Sequence, residues 1–191
     1  MDYFSNLIMS KRKREIRNII VILRGVPGTG KTTYTHLLYE LFKNDYDYNV
    51  QIISRDTLRL NQCKANSIDY QASFRDPKFN LMIRDTYYEN MFNMLNHLHT
   101  FGQHYVCIID STNTKLYDIK HTLWTIRTAC PDFKRTTDVY IYTKRTEHGS
   151  THGVPECIME RFREELKESD EWLKVNTHKF NIKVINKVTL K

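Results

Sequence analysis

Ile19-Ile-Val-Ile-Leu-Arg-Gly-Val-Pro-Gly-Thr-Gly-Lys-Thr-Thr33 is the stretch that decides the fold. It passes from an apolar run through a glycine-rich turn to a Lys-Thr pair and the start of a helical pattern. An apolar run without alternation is what a parallel strand covered on both faces requires. Gly25, Gly30, Lys31 and Thr32 fit G-x-x-x-x-G-K-[ST] with no mismatch. Glycines let the backbone turn tightly and aim successive N–H groups at anionic oxygens. The helix that follows contributes its positive N-terminal end. Such a loop is a phosphate cradle. Gly25, Val26, Pro27, Gly28, Thr29, Gly30, Lys31, Thr32 and Thr33 are therefore the expected contacts for ATP. Lys31 is placed to reach the β- and γ-phosphates, and the Thr32 hydroxyl to sit on Mg²⁺.

Working outward, apolar and helical patterns alternate. Strands are expected at Ile19–Arg24, Val50–Ser54, Tyr105–Ile109 and Asp138–Tyr142, with a short last one at 182–188. Helices are expected at about Lys31–Lys43, Lys78–Phe101, Asp118–Ala129 and Glu156–Val175. The first has Leu37, Leu38, Leu41 and Phe42 as its apolar stripe, and the second carries Leu81, Ile83, Tyr87, Tyr88, Met91, Phe92, Leu95 and Leu98. Residues 61–77 read as polar and irregular. The alternation implies an α/β fold: a P-loop kinase-like three-layer sandwich, its mostly parallel sheet of about five strands covered by helices on both faces. Residues 1–18 form a basic N-terminal extension and 19–191 a single domain. Ligands in such sheets bind beyond the carboxyl ends of the strands, so Lys31, Asp56 and Asp110 should converge.

Asp110 closes the run Tyr105-Val-Cys-Ile-Ile-Asp and is a candidate second anchor for Mg²⁺; capping a helix is the alternative role. Asp56 lies just beyond the second strand, where a carboxylate could hydrogen-bond an acceptor hydroxyl. Arg59, one helical turn on, could bind an acceptor phosphate in two-point fashion. A surface Asp–Arg pair explains the same two residues equally well. Residues 145–154 have the make-up of a lid loop, with Gly149 and Gly153 as hinges and Arg145 at the base. His148, His152 and Cys157 do not complete a tetrahedral zinc set.

Composition narrows the classes. The chain has 191 residues and a net charge of +7, which favours a polyanionic partner. Lys11-Arg12-Lys13-Arg14 reads either as a nucleic-acid arm or nuclear-import patch, or as a solvated lead-in. No apolar run approaches membrane-spanning length and the N-terminus lacks the order of a signal peptide. The four cysteines are scattered, as thiols of a reducing compartment would be. An intracellular protein, cytoplasmic or nuclear and without a membrane partner, is expected; the oligomeric state is left open.

Four blocks then stand in order: Gly25–Thr32, Ser54-Arg55-Asp56-Thr57-Leu58-Arg59, Asp110-Ser-Thr-Asn113, and Arg145 followed by His-Gly-Val-Pro155. In order and spacing they resemble the polynucleotide 5′-kinase group of P-loop phosphotransferases. The resemblance covers about residues 19–165. It implies ATP- and Mg²⁺-dependent phosphorylation of the 5′-hydroxyl of a DNA or RNA end. Asp56 would be the general base, Arg59 the holder of the terminal nucleotide's 3′-phosphate, Thr112 and Asn113 residues near acceptor and phosphates, and Arg145 a catalytic lid cation on the donor. That group carries a second lid arginine where this chain has His148 and Gly149. Two other readings share the phosphate loop: a small-molecule kinase for a nucleoside, nucleotide or sugar, and a nucleotide-dependent switch.

Overall fold

The structure, a computed structural model, describes residues 18–44, 48–101, 104–145, 154–180 and 182–185. The basic cluster at 11–14, the central part of the expected lid (146–153) and the last strand beyond residue 185 lie outside them.

Five strands, β1 (Asn18–Arg24), β2 (Asn49–Ser54), β3 (Tyr105–Asp110), β4 (Thr137–Thr143) and β5 (Ile182–Ile185), form one sheet in the order β2-β3-β1-β4-β5. Every pairing is parallel, with Ile20 opposite both Cys107 and Val139. Side chains alternate across the central strand. Ile19, Val21 and Leu23 point to one face, where helix α1 (Lys31–Asn44) packs through Tyr34, Leu38 and Phe42. Ile20 and Ile22 point to the other, under α4 (Pro77–Phe101), α5 (Leu116–Ala129) and α7 (Glu156–Phe180). Each fully buried aliphatic side chain contributes about 1.5–3 kcal/mol by leaving water, and both faces of β1 are closed in this way. The P-loop kinase-like α/β sandwich expected from the sequence is the fold of this chain.

The order also explains the layers. The chain moves from β1 to the edge strand β2 with α1 on one face, then back through β3, past β1 to β4 and β5, with its helices on the opposite face. Reversing the direction of travel while keeping crossovers right-handed requires that change of face. It leaves the loop after β1 between the two directions, where ligand crevices open.

Two local expectations change. Residues 61–77 are not irregular: α2 (Arg55–Ala65) runs into them and a single turn, α3 (Tyr70–Ser73), follows. Helix α2 escapes a periodicity reading because its buried residues are Arg59 and Cys63, and a buried arginine breaks the apolar stripe. Leu37 and Leu81 are exposed rather than buried, and Phe92 is only partly covered. In α1 the buried row is centred on Tyr34, Leu38 and Phe42, one position round from Leu37. A short turn, α6 (Phe133–Thr136), precedes β4. Cys63, Cys107 and Cys130 are buried free thiols and Cys157 is exposed. Among the described residues no helix is long and apolar enough to cross a membrane.

Candidate phosphate-binding and acceptor site

The loop after β1 takes a conformation that its residues dictate. Gly25, Gly28 and Gly30 have φ of +146°, +78° and +74°, a region that disfavours side chains. Gly25 is also pinned in space. Its N–H donates to the Thr112 carbonyl at 3.0 Å, and a Cβ there would lie 2.4 Å from the Lys144 carbonyl oxygen. The Thr29 hydroxyl closes the turn on the Val26 carbonyl at 3.0 Å. Lys31 curls back over the loop and donates to the carbonyls of Gly25 and Val26, both at 2.9 Å. Thr32 and Thr33 stand exposed in the first turn of α1.

Burial and charge shape the titration of this centre. Burial lowers the Lys31 ammonium to about 8, with Lys144 adding to the effect and Asp110 and Asp56 opposing it. Burial also lowers Lys144, whose ammonium donates to the Gly30 carbonyl at 3.3 Å. Asp110 is buried at the carboxyl end of β3. Desolvation raises its pKa; hydroxyls of Thr35 and Thr32 and the charge of Lys31 oppose this, while Asp56 adds to it. The loop thus holds two partly dehydrated cations against its own carbonyls, an arrangement in which an anion would relieve the unneutralised charge. A carboxylate and a hydroxyl from Asp110 and Thr32 are the hard oxygen donors that suit Mg²⁺.

Asp56 is set by a cap. Ser54 takes the N-cap position of α2, and its hydroxyl accepts from the Thr57 N–H at 3.2 Å. That fixes Asp56 in the first turn, where the helix dipole favours a carboxylate. Its side chain is exposed and acts electrostatically on both Lys31 and Asp110. Lys31, Asp56 and Asp110 thus feel one another's charge, as residues set beyond neighbouring strand ends would.

Other sequence candidates are placed differently. Arg59 is buried; it donates to the Ser73 carbonyl and hydroxyl at 3.2 and 3.1 Å and to Asn80 at 2.7 Å, and lies over the Phe74 ring. Asn113, at φ +46° and with no exposure, donates its amide to the Leu23 carbonyl at 2.8 Å and so braces the end of β1. Thr112 meets the loop through its backbone. Arg145 pairs with Asp170 of α7, the carboxylate that also holds Arg24.

That pairing exposes residues the sequence reading passed over. Arg24, the last residue of β1, is wholly buried and donates to Asp170 at 2.7 Å, to Ser169 and to the Asn113 carbonyl at 3.4 Å. Ser169 in turn donates to the Thr114 carbonyl at 2.7 Å. Burial pulls Arg24 down to about 10, against the raising effect of Asp170. The signal available in sequence was a charge inside a doubly covered strand, which demands a buried acid. Asp170 hides in the charged run Glu168-Ser-Asp-Glu171, which looks like solvated surface.

A family model described as "Chromatin associated protein KTI12" matches residues 19–174, from the first strand to well into α7. The chain belongs to the KTI12 family. The match takes in the phosphate loop, Asp56, Asp110, Arg145 and Asp170 of this family member. No curated protein matches it. Several solved structures are similar to it at low identity. A protein titled APE1195 aligns over 86% of this chain and 76% of its own, at 14% identity and TM-score 0.45. A gluconokinase from Sinorhizobium meliloti covers 90% of this chain and 83% of its own, at 14% and 0.41. A cysteine-to-alanine mutant of the APS kinase CysC from Mycobacterium tuberculosis covers 84% and 99%, at 11% and 0.42.

Proposed function

We propose that this protein is an ATP- and Mg²⁺-dependent phosphotransferase that phosphorylates the 5′-hydroxyl of a polynucleotide. The observation that carries the reading is the exposed Asp56 carboxylate in the first turn of α2, within the electrostatic reach of Lys31 and Asp110. ATP supplies the transferable phosphoryl group; the loop from Gly25 to Thr33 would hold its phosphates, and Thr32 with Asp110 the metal ion. Lys31 leaves the Gly25 and Val26 carbonyls to meet phosphate oxygens. Asp56 would accept the proton of the incoming hydroxyl as its oxygen bonds to the γ-phosphorus; the bond from that phosphorus to the β,γ-bridging oxygen breaks and ADP leaves. Arg145, half exposed and paired with Asp170, would leave that carboxylate to meet charge growing on the transferred group. The order of the four sequence blocks and the net charge of +7 support a polynucleotide acceptor. The family description, chromatin associated, points toward the same setting.

Incubation with γ-labelled ATP and 5′-hydroxyl DNA or RNA 12-mers tests this. Label should appear at the 5′ end, and Asp56→Asn should reduce transfer at least about a hundredfold while ATP binding persists. No label on any strand, with ATP bound, refutes the reading.

A second reading is favoured by Arg59. Its terminal nitrogens are committed to Ser73 and Asn80, which removes the cation that would hold a 3′-phosphate. A small-molecule acceptor without that group, a nucleoside or sugar, fits such a site. Comparing nucleosides, nucleoside 3′-phosphates and oligonucleotides as acceptors separates the two.

A further inference from the structure

Helix α5 carries an aromatic row that the reaction proposed at Asp56 does not use. Tyr117, His121 and Trp124 recur at i, i+4 and i+7 and so share one helix face. Tyr117 and Trp124 are 51% and 60% exposed. The rings lean on one another, with centroids 5.4 Å apart for Tyr117–His121 and 5.9 Å for His121–Trp124. His121 also lies against Tyr88 of α4 at 4.0 Å.

This row is braced to the candidate site. The Tyr88 hydroxyl donates to Asp118 at 3.1 Å, and the same carboxylate takes Arg55 at 3.2 Å. Arg55 immediately precedes Asp56. Helix α5 begins just after the loop that follows Asp110 and runs back along the sheet, so Tyr117 lies nearest the site and Trp124 furthest.

The exposed charges of α5 itself have one sign, while Asp85 of α4, paired with Arg84 at 2.9 Å, acts on His121 from the neighbouring helix. Lys120 and Arg127, two turns apart, lie in the row beside the aromatics and are exposed; the Lys120 ammonium lies 5.3 Å from the centre of the Trp172 ring of α7, a contact that phenylalanine at 172 keeps in kind. The only acid of α5, Asp118, is buried and paired with Arg55. At 1.5 Å rise per residue the three rings step about 6 and 4.5 Å along the axis, a spacing that a single strand with splayed bases can follow. Aromatic faces beside cations are the chemistry by which single-stranded nucleic acid is held without sequence preference. A duplex hides its base faces and cannot use them.

We propose that the outer face of α5, with Tyr117, His121 and Trp124 flanked by Lys120 and Arg127, is a track for the single-stranded segment next to the 5′ end of the acceptor. Bases stack on the rings, phosphates meet the two cations, and the terminal hydroxyl points toward Asp56. The identity of the occupant as the acceptor rests on the function proposed above.

The chain has two tryptophans, so Trp172→Phe leaves Trp124 as the only one. Titrating that variant with a 5′-hydroxyl thymidylate 12-mer should quench its emission saturably, less so as salt rises. Tyr117→Ala should weaken this binding about tenfold, and Lys120→Gln with Arg127→Gln should flatten the salt dependence. In the transfer assay Tyr117→Ala/Trp124→Ala should cut the preference for the 12-mer over a nucleoside 3′-monophosphate about tenfold, with the loss in KM and melting unchanged. Quenching without transfer to any acceptor would sustain the track and sink the proposed reaction. Transfer with no quenching and no length preference would overturn the track and leave the reaction standing. A concentration-dependent dimer that shields Trp124 from the oligonucleotide would also overturn it, in favour of a second copy of the chain.

Discussion

Lys31 titrates at about 8 because burial disfavours its charge, and this has two consequences of defined sign. Its folded pKa lies below the ordinary 10.5, so between those values the unfolded chain binds more protons. Burying the charged ammonium therefore lowers stability below pH 8, and that penalty fades as the pH rises through the window. Phosphate has the opposite effect, since an anion beside the ammonium raises its pKa. Nucleotide binding should then take up a proton above pH 8. We expect the affinity for ATP to be constant from pH 7 to 8 and to fall by up to about tenfold per pH unit above that. Calorimetry at pH 9 in two buffers of different ionisation heat should show close to one proton taken up. An affinity flat from pH 7 to 10 would contradict this account.

Helix α7 is tied to the phosphate loop by a buried charge pair. Asp170 holds Arg24 at 2.7 Å inside the sheet and also receives Arg145. Arg24 adjoins Gly25, so the helix and the loop are joined through this pair, with Ser169 and Glu165 adding hydrogen bonds to Thr114 beside it. Removing the acid would leave a wholly buried guanidinium without its counter-charge. Asp170→Ala should cost about 3–5 kcal/mol, read as a lower urea midpoint with an unchanged slope. A loss under about 1 kcal/mol would mean that Arg24 finds other partners or water. Helix α2 shows the converse. Its position is held by the Ser54 cap and by Arg59 stacked on Phe74, so its exposed first turn is free to present Asp56.

On the scale of the whole domain, the loop after β1 joins the two halves of the sheet. Gly25 contacts Thr112 beyond β3 and abuts Lys144 beyond β4, so a ligand held there is coupled to both directions of the chain. ATP with Mg²⁺ at a hundred times its dissociation constant should add about 2.7 kcal/mol, which for a chain of this length is about 5–11 °C in melting temperature. Lys31→Ala should abolish most of that shift while leaving the unliganded transition close to that of the native chain. An equal shift in both proteins would place nucleotide elsewhere.

The sequence by itself determined what depends on local pattern. Fifteen consecutive residues from Ile19 set a buried strand, a phosphate-shaped turn and a helix start, because glycine, lysine and threonine at fixed spacing have few other uses. The alternation of apolar runs and helical stripes set the parallel sheet, since parallel strands require crossovers. The placement of Asp56 and Asp110 at strand ends was legible because the apolar runs before them stop there. Only the tertiary structure decided the partners of Arg24, Arg59 and Asn113. Each is polar and buried, so its role is fixed by whichever group closes its hydrogen bonds, and those groups, Asp170, Ser73 with Asn80, and the Leu23 carbonyl, come from other elements of the fold.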